Sequence, residues 1–136
     1  MNRLILPGTA PSVNHMYEDK WIRGRKIRIK TPEAEAWYQE AVLRAKMWIA
    51  RNRWQQQSGK VYVLIWVFFP DKRRRDPDNG LKALLDALED AGIYTDDKTA
   101  LPHIMDYETD PANPRLEIEF KEYKSYNNVL ERLKWT

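Results

Sequence analysis

Three carboxylates and a lysine stand on or near the most basic strip of this sequence: Asp76, Asp78 and Asp97, with Lys82. The strip reads Lys72-Arg73-Arg74-Arg75-Asp76-Pro77-Asp78-Asn79-Gly80-Leu81-Lys82, and Thr95-Asp96-Asp97 follows a helical pattern. Acids set among bases make a poor core. They suit a hard-cation site that must receive a polyanion. Carboxylate oxygens favour Mg²⁺ or Mn²⁺, and Mg²⁺ typically takes one or two carboxylates and leaves places for water and phosphate. Arginines beside such a site hold neighbouring backbone phosphates. The combination points to metal-dependent chemistry on nucleic acid.

Each of these residues also has a plainer use. Asp76 fits an N-cap, with Pro77 at the first helical position; capping and cation binding can coexist because they use different oxygens. Asp78, Lys82 and Asp86 are spaced four apart, which stacks them on one face of the expected helix. On a surface such a ladder contributes about 0.2–0.5 kcal/mol per pair. In a catalytic site the same spacing sets Asp78 on metal, Lys82 against the scissile phosphate, and Asp86 to orient the lysine. Asp96 and Asp97 fall in the turn beyond the helix. A helix of about fifteen residues carries the chain roughly 20 Å away, so this turn reaches Asp76 only through the following strand or from another subunit.

The elements that position these groups follow from patterning. Thr31-Pro32-Glu33 is a helix start, and Trp37, Tyr38, Ala41, Val42, Ala45, Trp48 and Ile49 repeat at helical spacing to about Arg53. Lys60 to Pro70 is apolar on both faces, as in a strand at the middle of a sheet covered on both sides or by a partner subunit. A second helix is expected from about Pro77 to Ala91, ended by Gly92. Asn2 to Leu6, Leu101 to Tyr107 and Arg115 to Phe120 read as strands, Thr9 to Tyr17 as loop, and Lys20 to Ile29 as a basic hairpin or arm around Gly24. Tyr126, Val129, Leu130 and Leu133 suit a short terminal helix. The fold class is α/β (α+β): two main helices on a small mixed sheet.

Composition bounds the rest. With 136 residues, the chain is expected to form one domain over 1–136, with about 121–136 as an extension. Six Trp and seven Tyr oppose disorder, and the absence of cysteine excludes disulfides, thiolate metal sites and cysteine nucleophiles. The net charge of +3 is mild, but its distribution is uneven. Lys20, Arg23, Arg25, Lys26, Arg28 and Lys30 form one acid-free run and Lys72 to Arg75 a second, whereas acids gather from Asp86 to Asp110. That segregation suggests a polyanion-facing surface with an acidic centre. The first residues are too soon broken by Pro7 for a signal peptide, and no apolar run approaches the ~18 residues that span a bilayer, so a cytoplasmic location away from membranes is expected.

The spacing Arg75-Asp76-x-Asp78-Asn79-x-x-Lys82-x-x-x-Asp86-x-Leu88, then Ala91-Gly92-Ile93 and Asp96-Asp97, resembles the signature of the RusA family of Holliday junction resolvases. Pro11-Ser12-x-Asn14-x-x-Tyr17 is similar to that family's proline-serine-asparagine-tyrosine loop. The resemblance covers roughly residues 3 to 120. It implies a small homodimer, often prophage-borne, that cuts four-way DNA junctions with Mg²⁺. By motif position Asp76, Asp78 and Asp97 match the family's essential acids, Lys82 its essential lysine, and Asp96 the acid beside the third. Two departures are Lys98-Thr99, where the family often carries a small residue and glutamine, and Pro102 within the expected strand.

The resulting expectation is a structure-selective endodeoxyribonuclease. Asp76, Asp78, Lys82 and Asp97 are its catalytic set, with Asp76, Asp78, Asp97 and Asp96 as metal ligands and Asn79 and Asp86 in support. Lys72, Arg73, Arg74, Arg75, Arg23, Arg25, Lys26, Arg28 and Asn14 are the expected DNA contacts. The alternative is a catalytically silent junction-binding protein of the same fold, for which acids that repel phosphate would bring no gain.

Overall fold

The computed structural model describes residues 1–73 and 75–124. The elements are β1 (Leu4–Pro7), a one-turn helix α1 (Val13–Met16), β2 (Tyr17–Ile22), β3 (Arg25–Lys30), α2 (Pro32–Asn52), β4 (Val61–Phe69), α3 (Leu81–Ala91), a 3₁₀ turn (Asp97–Thr99), β5 (Ala100–Thr109) and β6 (Arg115–Glu122). One sheet has the order β1-β6-β4-β5, and β2 and β3 form a separate hairpin. β4 runs antiparallel to β6 and parallel to β5. The expected α+β class, a mixed sheet with two main helices, is the one observed.

β4 sits inside the sheet because its sequence leaves no other place for it. Val61, Val63, Ile65, Val67 and Phe69 are all buried toward α2 and α3, meeting Ala41, Ala45, Trp48, Leu84 and Leu88 in the main core. Each such aliphatic side chain contributes about 1.5–3 kcal/mol when taken out of water. The opposite face of β4 is only half-buried. There the Arg3 guanidinium lies 3.5 Å from the Trp66 ring centre and that of Arg115 lies 3.8 Å from Phe68. Glu117 holds both arginines, at 3.2 and 2.7 Å. Among the described residues, cations on aromatic rings cover this part of the face.

α2 begins as Thr31-Pro32 leads one to expect. The Thr31 hydroxyl accepts the Ala34 N–H at 3.2 Å, a cap of the kind that stabilises helices by about 1 kcal/mol. At the far end of its buried face, Trp48, Trp54 and Phe120 pack with ring centres 5.0–5.8 Å apart.

Two expectations need correction. Thr9 to Tyr17 is not all loop, since Val13–Met16 closes one helical turn. α3 does not start near Pro77: Asn79 N–H bonds to Asp76 O at 3.2 Å and Leu81 N–H to Asp78 O at 3.1 Å, so the chain makes successive turns before the helix begins with Gly80 as its N-cap. Asp76 is therefore not its N-cap, and the Asp78-Lys82-Asp86 stack is cut to its last two members. Pro102 does not interrupt β5, which runs unbroken from Ala100 to Thr109 along the sheet edge. An edge strand has one side free of ladder bonds, so it tolerates a residue with no N–H. The terminal helix expected beyond Tyr123 falls on residues 125–136, outside the described residues. Among the described residues no helix is long and apolar enough to cross a membrane.

Candidate active site

The polar face of α3 carries the centre of the site. Lys82, Asp86 and Glu89 lie at i, i+4 and i+7, a spacing that aligns them on one side of a helix. The Lys82 ammonium is 3.4 Å from Asp86 Oδ2. The carboxyl of Asp97 lies close enough to that of Asp86 for the two to share a proton. Lysine, supporting acid and third acid of the sequence pattern thus meet on one surface.

Asp97 arrives there by a well-anchored reversal. Gly92, at φ +100°, ends α3 in the left-handed region; its N–H reaches Glu89 O and the Ile93 N–H reaches Leu88 O, both at 3.0 Å. This pair of bonds is the Schellman arrangement that glycine makes accessible. Tyr94 is then fully buried, and its hydroxyl donates to Leu85 O at 2.6 Å. Trp54 Nε1 donates to Ile93 O at 2.9 Å, and the Thr95 N–H reaches Gln57 O at 3.0 Å. After these fixed points the chain delivers Asp96 and Asp97 beside α3. Asp96 caps the 3₁₀ turn, accepting the Lys98 N–H at 2.9 Å.

Glu89 is the residue the sequence reading missed. Its Oε1 accepts the backbone N–H of Asp97 at 2.6 Å. Carboxylate oxygens of Glu89, Asp96 and Asp97 lie within 4.8 Å of one another, the only such acidic group among the described residues. These are hard oxygen donors of the type Mg²⁺ prefers. Their crowding is visible in the acid itself. The hydrogen bond with Asp86, partial desolvation and the charges of Asp86 and Asp96 raise the Asp97 pKa above the ordinary aspartate value, with Lys82 acting in the opposite sense. A divalent cation would relieve that repulsion, so the donor set fits one.

Asp76 and Asp78 are exposed in the turns before α3 and do not join that close group. They face β5 instead. A hollow of about 380 Å³ lies between Asp76–Asp78 and Ile104–Tyr107, so the strand after the Asp97 turn runs back to the first two acids. Here β5 bulges: Ile65 pairs with Ile104 but Trp66 pairs with Asp106, which leaves Met105 as the extra residue. The bulge adds Asp106, another carboxylate that the sequence did not single out, to the lining of the hollow. On its other side the loop meets the N-terminal segment. Pro11, Ser12 and His15 line an apolar cleft of about 420 Å³ together with Asp76, Asn79 and Gly80. The two motifs, far apart in sequence, are neighbours in space.

The basic residues differ in their freedom. Arg73 is exposed, with 81% of its side chain accessible, and Lys72 is exposed too. Arg75 is half-buried against Asp71: Nη2 donates to Oδ2 at 3.1 Å, while Nη1 is 2.9 Å from Oδ1 but poorly aligned for a hydrogen bond. The bonds from Arg73 and Arg75 lower the Asp71 pKa. Arg74 lies outside the described residues. Asn14 is exposed on α1, Arg23 is in the hairpin turn, and Arg25, Lys26 and Arg28 are exposed along β3.

A family profile described as endodeoxyribonuclease RusA matches residues 7–121. The chain belongs to the RusA family. Asp76, Asp78, Lys82, Asp86, Glu89, Asp96 and Asp97 all fall inside the matched span, as do both motifs named from the sequence. No curated protein matches the chain. RusA membership makes it a member of an endodeoxyribonuclease family that acts on DNA junctions.

Proposed function

We propose that this chain is a Mg²⁺-dependent endonuclease that resolves four-way DNA junctions by paired symmetric nicks, as a homodimer. The observation that carries the proposal is the meeting of Lys82, Asp86 and Asp97 on one exposed helix face, inside a RusA-family match. Asp76, Asp78 and Asp97 would be the ligands, with Asp96 beside them and Mn²⁺ as an alternative ion; Asp97 stands in the close group with Glu89 and Asp96, whereas Asp76 and Asp78 lie apart from that group, beside β5. A bound cation supplies Lewis-acid chemistry, giving a nucleophile from water and offsetting charge on the leaving oxygen. Lys82 places a fixed positive charge where the phosphate gains negative charge, which favours the transition state over the ground state. Asp86 holds the lysine in place; Asn79 supports the loop. Lys72, Arg73, Arg74 and Arg75, with Arg23, Arg25, Lys26, Arg28 and Asn14, orient the junction through its phosphates.

A homodimer follows from the task. Resolving a junction needs two nicks on opposing strands, and two-fold symmetry supplies a second site from the same sequence. The open outer edge of β5, with Met105 51% and Tyr107 61% exposed beside the Asp76–Asp78 loop, supports an extended contact there.

The test is cleavage of a labelled four-way junction and a matched linear duplex, with Mg²⁺ and with chelator. Wild type should cut the junction with Mg²⁺ alone, and Asp76→Asn, Asp78→Asn and Asp97→Asn should each lose cutting while keeping junction binding. A mutant that still cuts removes that residue from the site. Junction binding without any cutting by wild type would mark a catalytically silent binder.

A further inference from the structure

We infer that one face of the β2–β3 hairpin is a stacking site for an unpaired DNA base, with the Trp21 indole as its platform. The inference rests on the branched-DNA reading above and deepens it. The hairpin stands apart from the main sheet, joined to it by no ladder bond. Its register puts Trp21 opposite Lys26, Asp19 opposite Arg28 and Tyr17 opposite Lys30. Directly opposed residues share a face, so Tyr17, Trp21, Lys26, Arg28 and Lys30 line up together, with Asp19 their one acid.

The aromatic and basic groups on this face differ in how far they are already engaged. Toward the base of the arm, the Arg28 guanidinium sits 4.9 Å from the Tyr17 ring centre and the Lys30 ammonium 3.3 Å from that of Tyr38. Toward the tip, Lys26 meets Asp19 at 3.4 Å, and Trp21 is left 72% exposed. Tryptophan loses much by facing water, and it gains by stacking on any nucleobase. Every base has a π-face, so such a platform binds without reading sequence. Phosphates flanking the base would be met by Lys26, by Arg25 on the opposite face, and by Arg23 at the tip.

The turn itself supports a role for the tip. Arg23 at φ +51° and Gly24 at φ +76° are both left-handed, as a two-residue turn between twisted strands requires. Asparagine or glycine would occupy the first of these positions with less strain than arginine does. The chain holds a cation there at a backbone cost. In an intact duplex the bases are stacked and unavailable, so a Trp21 platform favours DNA with an unpaired or splayed nucleotide. A four-way junction offers such nucleotides at its crossover once its arms are opened.

The experiment measures binding in chelator, which removes cleavage from the readout. Three DNAs are compared: a blunt duplex, the same duplex with one unpaired 2-aminopurine, and the four-way junction. Trp21→Ala should weaken binding of the 2-aminopurine duplex and the junction by about fivefold to 150-fold, the range for loss of one stacked base. It should leave blunt-duplex affinity unchanged and abolish the quenching of 2-aminopurine that wild type produces. Trp21→Phe should keep most of the affinity. Equal weakening on all three DNAs, or none, overturns the inference, as does failure of wild type to quench. Wild-type junction cutting with Mg²⁺ is scored alongside: its failure, with the Trp21 effect intact, sinks the nuclease reading and leaves the stacking site standing.

Discussion

Replacing Gly80 by alanine should push apart the two loops that frame the candidate site. A Cβ built at Gly80 would lie 2.5 Å from Ala10 Cβ and 3.0 Å from Ala10 O. Carbon atoms settle at about 3.5–4.0 Å, so one loop must move by roughly 1 Å. The backbone at Gly80, φ −96° and ψ 7°, is open to alanine, so the cost comes from the contact and not from the dihedrals. Overpacking of this kind costs about 1–3 kcal/mol. Part of the obstacle is backbone oxygen, which no side-chain rotation can clear, and that places the expectation in the upper half of the range. Ala10→Gly removes the nearer atom and leaves the oxygen. The double mutant should therefore recover part of the loss, with a coupling of at least about 0.5 kcal/mol between the two sites. Urea denaturation of all four proteins reads this directly from midpoints and slopes. Additivity within about 0.3–0.5 kcal/mol would show that the loops do not touch in solution as described, and the argument for their shared framing of the site would fall.

Two further outcomes follow from the acidic face of α3. Glu89→Ala should raise the Mg²⁺ concentration needed to saturate the protein, because Asp97 loses the acceptor for its N–H, whereas Glu89→Gln keeps an acceptor oxygen and should stay close to wild type; calorimetric titration with Mg²⁺ distinguishes them, and equal effects would mean that the charge of Glu89 matters and not its bond. The raised Asp97 pKa means that the folded state keeps a proton that the unfolded chain, with an ordinary value of about 3.9, has released. Stability in chelator should therefore fall as pH rises from about 4 through the raised value, since the folded state binds more protons there. Asp86→Asn should flatten that slope, and an unchanged slope in denaturation curves across pH would refute the pairing of Asp86 with Asp97.

The frame of the molecule was legible because its signals are redundant. β4 carries nine apolar residues in succession, and α2 announces itself through Thr31-Pro32 and a helical repeat. The start of α3 was misread for a definite reason. Pro77 suits a first helical position, but Asp78, Asn79 and Gly80 are also turn formers. Close packing of Gly80 on Ala10, a contact seventy residues apart in sequence, accompanies the turns. Glu89 was invisible for a similar reason. Gly92 signalled that the helix stops, but the register that brings Asp97 N–H onto Glu89 depends on Tyr94 and Trp54 burying their polar atoms against Leu85 O and Ile93 O. Patterns within one element survive inspection of the sequence. Contacts that depend on how two elements dock do not.

The place of β6 in the sheet has a consequence for synthesis. This strand, the last of the main sheet in sequence, lies between β1 and β4. Until residues 115–122 leave the ribosome, β1 has no partner and one long side of β4 is an unpaired apolar edge. Translation at about 5–20 residues per second keeps that edge open for several seconds after β4 itself is made. The unit that can form early is β4 with α3 and β5, joined by a local crossover, and it is the unit that bears every acid of the candidate site. The acidic face is thus assembled before the surface that shields its supporting strand, and the nascent chain is most exposed to sticking to a neighbour during the interval between Phe69 and Arg115.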